Sequence, residues 1–209
     1  MSDQTPSVHD DLAFLRTLAQ DGEGFQNYQR MFGEIYFAAG LCYSVQMLLH
    51  GGQAFGWIVG SGPIALAIGI GPTVVFLILL LWLRGGRGQP APSGVVARAV
   101  GAVFAAVGLT NLALILIIGG IAWRQHSLLI WLIYPCVVMV LQGLAWLVVF
   151  MLRRRAWLGV VAAGWFATGL AMAAAIPQPS YFIIAAGVGM FAFMLVPGAV
   201  LMRLTRRTA

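Results

Sequence analysis

Residues 128–155 read LLIWLIYPCVVMVLQGLAWLVVFMLRRR. The twenty-five residues from Leu128 to Leu152 contain no charged group. As a helix rising about 1.5 Å per residue, such a run exceeds the roughly 30 Å of hydrocarbon in a bilayer. Arg153, Arg154 and Arg155 end the block at once. An apolar run closed by an arginine triplet is a spanning helix with a stop and orientation signal, and the triplet is also suited to anionic lipid headgroups.

Five further blocks of similar character surround it: Met31–His50, Trp57–Leu83, Val95–Ile121, Ala156–Ile176 and Tyr181–Met202. Of the 209 residues, 61% are hydrophobic and 9% charged, with a mean hydropathy of +0.91. Soluble domains carry about a quarter of their residues charged, so this chain lacks the polar surface that water requires. The expected fold is an all-α integral membrane protein of six transmembrane helices, arranged as three helical hairpins. Its parts are a segment at 1–30 with a short helix, a six-helix domain at 31–202 and a basic tail at 203–209. Pro63 falls near the start of the second span, Pro72 and Pro135 inside the second and fourth, and Pro197 near the end of the sixth. Neighbouring helices re-satisfy the carbonyls that an internal proline frees, so Pro72 and Pro135 are read as kinks.

All twelve basic residues are arginines. With six spans, Arg16, Arg30, Arg84, Arg87, Arg98, Arg153, Arg154, Arg155, Arg203, Arg206 and Arg207 fall on the N-terminal side, and Arg124 alone falls opposite. Cytoplasmic loops carry the excess of basic residues, which places both termini in the cytoplasm. The lysine-free, Ala-, Gly- and Arg-rich alphabet points to a bacterial inner membrane. Trp57, Trp123 and Trp131 mark the outer interface, Trp82 and Trp157 the inner one. The net charge of +6 reads as a topology signal, and nucleic acid is not an expected partner.

Within the first segment, Asp10 to Asp21 forms a short amphipathic helix with Leu12, Leu15, Leu18 and Ala19 in one stripe and Gly22 as its stop. Its polar side is acidic, so it suits protein docking better than a membrane surface. The acids from Asp3 to Glu23 do not suit a cleavable signal peptide. The loop from Arg84 to Gly94, rich in Gly and Pro, is an irregular connector. Cys42 and Cys136 lie inside apolar blocks and serve as small hydrophobes. A weak repeat links Phe37-Ala38-Ala39-Gly40 with Phe104-Ala105-Ala106 and Val161-Ala162-Ala163-Gly164.

Glu34 is the one acid inside a span. An intramembrane ionisable group is a functional candidate, but Arg30 stands one turn earlier and offers an i,i+4 ion pair. Tyr36, Gly40, Tyr43, Gln46 and His50 recur at spacings of three and four, so they share a face. Lipid cannot pair such groups. They line a pathway, or they hydrogen-bond to neighbouring helices, with Thr110, Asn111, Gln142 and Thr168 as partners; the second alternative is favoured. His50 and His126 sit at helix ends without ligand spacing, so no metal or haem is expected. In the fifth span Gly159, Ala163, Ala167, Ala171 and Ala175 place a small residue at every fourth position, which lets another helix approach closely. The Gly60–Gly71 run and the Gly187/Gly189 pair read similarly.

Metalloprotease, CxxC, phosphate-loop and nucleophile-elbow motifs are absent from the sequence. The favoured function is therefore non-enzymatic: an accessory, assembly or sensory module working through helix and lipid contacts. It would act as a homo-oligomer or with a partner membrane protein, among anionic lipids and without a cofactor. The alternative is a small, homo-oligomeric transporter or channel with its pathway along the first span. A lipid or quinone enzyme is the least supported class.

Overall fold

A computed structural model describes residues 8–85 and 94–206, with side chains described from residue 26 onward except those of residues 84 and 206. Among the described residues the protein is all-helical, and six helices are long and apolar enough to cross a membrane. Helix α1 is Val8–Ala54, α2 Gly62–Gly85, α3 Val95–Arg124, α4 Leu128–Arg153 and α5 Ala156–Ala174. The last crossing is compound: α6 (Pro179–Met190), a π-helical turn (Phe191–Leu195) and α7 (Val196–Arg206).

The first difference from expectation is α1. Its backbone is helical without interruption from Val8, so no separate short helix ends at Gly22. Glycine stops a helix when it adopts the left-handed conformation. The glycines with positive φ among the described residues are Gly56 and Gly94, so Gly22 and Gly24 remain helical, each with the usual glycine penalty of about 1 kcal/mol. The Leu12 stripe concerns side chains outside the described ones. So does the Arg84–Gly94 connector for its residues 86–93.

The second difference is α2, which begins at Gly62 instead of Trp57. Gly56 turns the chain at φ +74°, and the N–H groups of Trp57 and Ile58 fold back onto the Gly52 carbonyl. Pro63 then occupies the first helical turn, where its missing N–H costs nothing. Pro72 and Pro135 lie inside unbroken helices. Pro197 acts differently. It has no N–H for the Phe193 carbonyl and its ring crowds that oxygen. The helix widens one turn earlier, with the Val196 N–H bonding to Phe191 O. The chain stays helical to Arg206, so residues 203–206 continue the last helix.

α4 and α5 make the most extensive contact in the bundle, although they belong to different expected hairpins. Their connection explains this. Arg154 adopts the left-handed conformation (φ 52°) and donates its N–H to Phe150 O at 2.7 Å, and α5 starts two residues later. The arginine triplet thus forms the last residue of α4, its left-handed cap and the N-cap of α5. α1 contacts α2, α3, α6, the π turn and α7. α2 and α3 are the least buried spans and show broad apolar faces, including Leu66, Ile78, Leu109 and Leu116. Such faces suit hydrocarbon and are unsuited to water.

Glycine permits the closest crossing. A Cβ on Gly40 would stand 2.5 Å from the Leu195 nitrogen, and one on Gly198 would stand 2.5 Å from the Phe37 nitrogen. Both obstacles are backbone, which cannot rotate away. The α2 glycines Gly62, Gly69 and Gly71 have no such neighbour among the described residues. Gly187 and Gly189 do pack, against Met47 and Thr168. Gly108 of α3 faces open space.

Candidate functional site

The polar face of α1 is divided among several neighbours. Tyr36 is buried and bridges to α4. The Trp146 indole N–H donates to its hydroxyl at 2.6 Å, and that hydroxyl donates to Gln142 Oε1 at 3.2 Å. Tyr43 turns to α2, with its ring 5.8 Å from that of Phe76 and its hydroxyl near Thr73. Gln46 donates to the Gly69 carbonyl at 2.7 Å. His50 Nδ1 and Gln53 Oε1 stand 3.1 Å apart. The structure therefore joins Tyr36 and Gln142, while no hydrogen bond links Tyr43, Gln46, His50 and Asn111 to one another among the described residues.

Glu34 pairs with Arg30: Arg30 Nε donates to Glu34 Oε1 at 3.2 Å. The Arg30 side chain is 57% exposed and that of Glu34 17%. Of the other expected partners, Thr168 bonds to its own helix at Gly164 O, and Thr110 is exposed. Three buried polar atoms have no hydrogen-bond partner among the described residues: Ser44 Oγ, Asn111 Oδ1 and Trp165 Nε1. Trp165 lies near the Tyr36 hydroxyl, so the Tyr36–Gln142–Trp146 group has one further donor within reach. No three His, Cys, Asp or Glu side chains cluster among the described residues.

The small-residue stripe of α5 lies mostly on the outer side of the helix. Ala163, Ala167 and Ala171 are exposed on the outside of the bundle among the described residues. Gly159 lies against Phe150. The face of α5 that packs inward carries Leu158, Ala162, Trp165 and Met172, all nearly fully buried. A Cβ on Gly164 would run into the Phe193 ring.

At the arginine-rich end lies an aromatic arrangement that sequence reasoning missed. Tyr28, Phe32 and Tyr36 are spaced four apart and form a ladder, with centroids 6.3 and 5.4 Å apart. Phe104 stands 4.6 Å from Phe32, and Trp146 stands 5.3 Å from Tyr36 and 6.2 Å from Trp157. The i,i+4 aromatic spacing was the available signal, but an apolar span masks it. Beside this cluster a half-open cleft of about 50 Å³ is lined by Tyr28, Phe32, Trp146 and Trp157, with Arg153 and Arg155 among its walls. Arg154, the left-handed residue between them, is exposed. Comparison with protein-family models, curated proteins and solved structures finds no match for this chain.

Proposed function

We propose that this chain is a non-enzymatic module of a bacterial inner membrane, with both termini in the cytoplasm, that works through helix contacts with other copies or with a partner membrane protein. The observation that carries this reading is the outward-facing Ala163/Ala167/Ala171 stripe of α5. Small residues at i,i+4 promote helix association in membranes by letting backbones approach. Among the described residues no helix of this chain covers them, and the occupant assigned to them is a helix of another chain. The eleven-to-one arginine split supports the orientation.

Cysteine cross-linking in intact membranes tests the reading. Cysteines placed at Ala163, Ala167 and Ala171 should cross-link to a neighbouring chain, while ones placed at Leu66 or Ile78 on α2 should not. Uniform absence of cross-links along α5 would remove its basis.

The second reading, a small transporter or channel, is favoured by Ser44 and Asn111, whose buried oxygens have no partner among the described residues of the membrane-spanning region. Water or a solute would satisfy them. Reconstituted vesicles should then show a flux that Ser44→Ala and Asn111→Leu abolish.

A further inference from the structure

The cleft at the arginine-rich end combines three features that meet at a bilayer interface. Its floor, as we call the aromatic and apolar part of its lining, includes Phe32, Trp146 and Trp157 of the cluster already described, together with Leu158. Arg153 and Arg155 are among the residues that line it. The Arg155 side chain makes no hydrogen bond or ion pair among the described residues. It is also the N-cap of α5, whose first turn has no side-chain cap. A helix start carries unpaired N–H groups and a partial positive charge, which repel a cation and attract an anion. A guanidinium placed there gains nothing from its own helix and gains most from an external anion.

We propose that this cleft binds an anionic phospholipid of the leaflet at the arginine-rich end. The phosphate lies between Arg155, Arg153 and the start of α5, and the first methylenes of one acyl chain lie on the aromatic floor. Charge complementarity argues for the anion and the floor argues for the chain. A free phosphate would leave the aromatic side chains uncovered, and a neutral lipid would leave the Arg155 charge unmatched. The cleft is small and half-open, so the remainder of the lipid lies along the bundle in the bilayer. The site deepens the lipid-contact part of the proposed function and rests on the membrane orientation assumed there, but it needs no protein partner.

The test is native mass spectrometry of the full chain released from bilayers containing equal phosphatidylglycerol and phosphatidylcholine. The wild type should retain phosphatidylglycerol in clear preference. Arg155→Gln should reduce that preference about fivefold, the factor corresponding to about 1 kcal/mol for one arginine at a membrane surface. Arg155→Lys should retain most of it. Arg203→Gln, at the same end of the bundle but outside the cleft wall, should leave it unchanged. Thermal melting of each variant in detergent confirms that it is folded. Equal retention of the two lipids by the wild type overturns the proposal. So does an equal loss in Arg203→Gln and Arg155→Gln, which would mean diffuse charge attraction without a site. If the α5 cross-links fail while lipid preference persists, only the partner reading falls; the converse pattern removes only the lipid site.

Discussion

The Trp146 indole N–H donates to the Tyr36 hydroxyl at 2.6 Å across the interior of the bundle, joining α1 to α4. Both residues are nearly fully buried, so neither group has water as an alternative. The hydroxyl passes the interaction on to Gln142, and the three side chains form a short chain of donors and acceptors in an apolar setting. Tyr36→Phe removes its centre. Interhelical hydrogen bonds in membranes average about 0.6 kcal/mol and reach about 1.7, so the variant should lose about 1 kcal/mol of stability. A double-mutant cycle with Trp146→Phe, followed by unfolding in mixed micelles, should give a coupling of about 0.6 kcal/mol. Zero coupling would mean that the contact contributes packing alone.

The glycine crossing of α1 with the last span should be more sensitive. Gly40→Ala and Gly198→Ala each drive a methyl group into a neighbouring backbone. Overpacking of this kind costs about 1–3 kcal/mol. Gly108→Ala, where a Cβ meets open space, should be neutral or slightly stabilising because alanine is the better helix former. Melting temperatures of the three variants in one detergent check the contrast. Equal effects at all three positions would contradict the close approach.

Glu34→Gln should leave the fold intact. Its partner Arg30 is largely exposed, and solvent screening limits such an i,i+4 pair to at most about 0.5 kcal/mol. If this variant folds normally yet abolishes a measured flux, Glu34 is a pathway residue and the structural reading of the pair fails.

Ala167→Leu should separate monomer stability from association. The position is exposed on α5, so the larger side chain points away from its own bundle and melting of the isolated protein should not change. Cross-linking along α5 should fall sharply, because a leucine at the centre of the stripe holds the partner helix away.

The spans were legible because each is a long apolar block and the arginines interrupt them in only a few places. The ends of α3, α4 and α5 fall within a few residues of expectation for that reason. The Arg30–Glu34 pair and the Tyr36–Gln142 bond arise from similarly local logic: one from spacing, the other from the need of any membrane-buried polar group for a partner. Other features were hidden. Gly22 resembles a helix stop in sequence, but a glycine stops a helix only where the next residues leave the helical path, and here they continue it. The π turn needs the effect of Pro197 on the carbonyl before it, which composition does not report. The inward face of α5 was not legible, and its stripe of alanines was easier to see than its tryptophan side. In an all-apolar helix the buried face carries no hydrophobic contrast, so only shape distinguishes Ala162 and Trp165 from Ala163 and Ala167.

The most direct test of the central claim is native mass spectrometry of the complex released gently from its own membranes. The account predicts a mass above that of one 22.4 kDa chain, either a whole-number multiple or a fixed ratio with a second polypeptide, and its collapse to the single chain in Ala167→Leu. A wild-type protein that leaves its membranes as one chain with no protein partner would contradict the account.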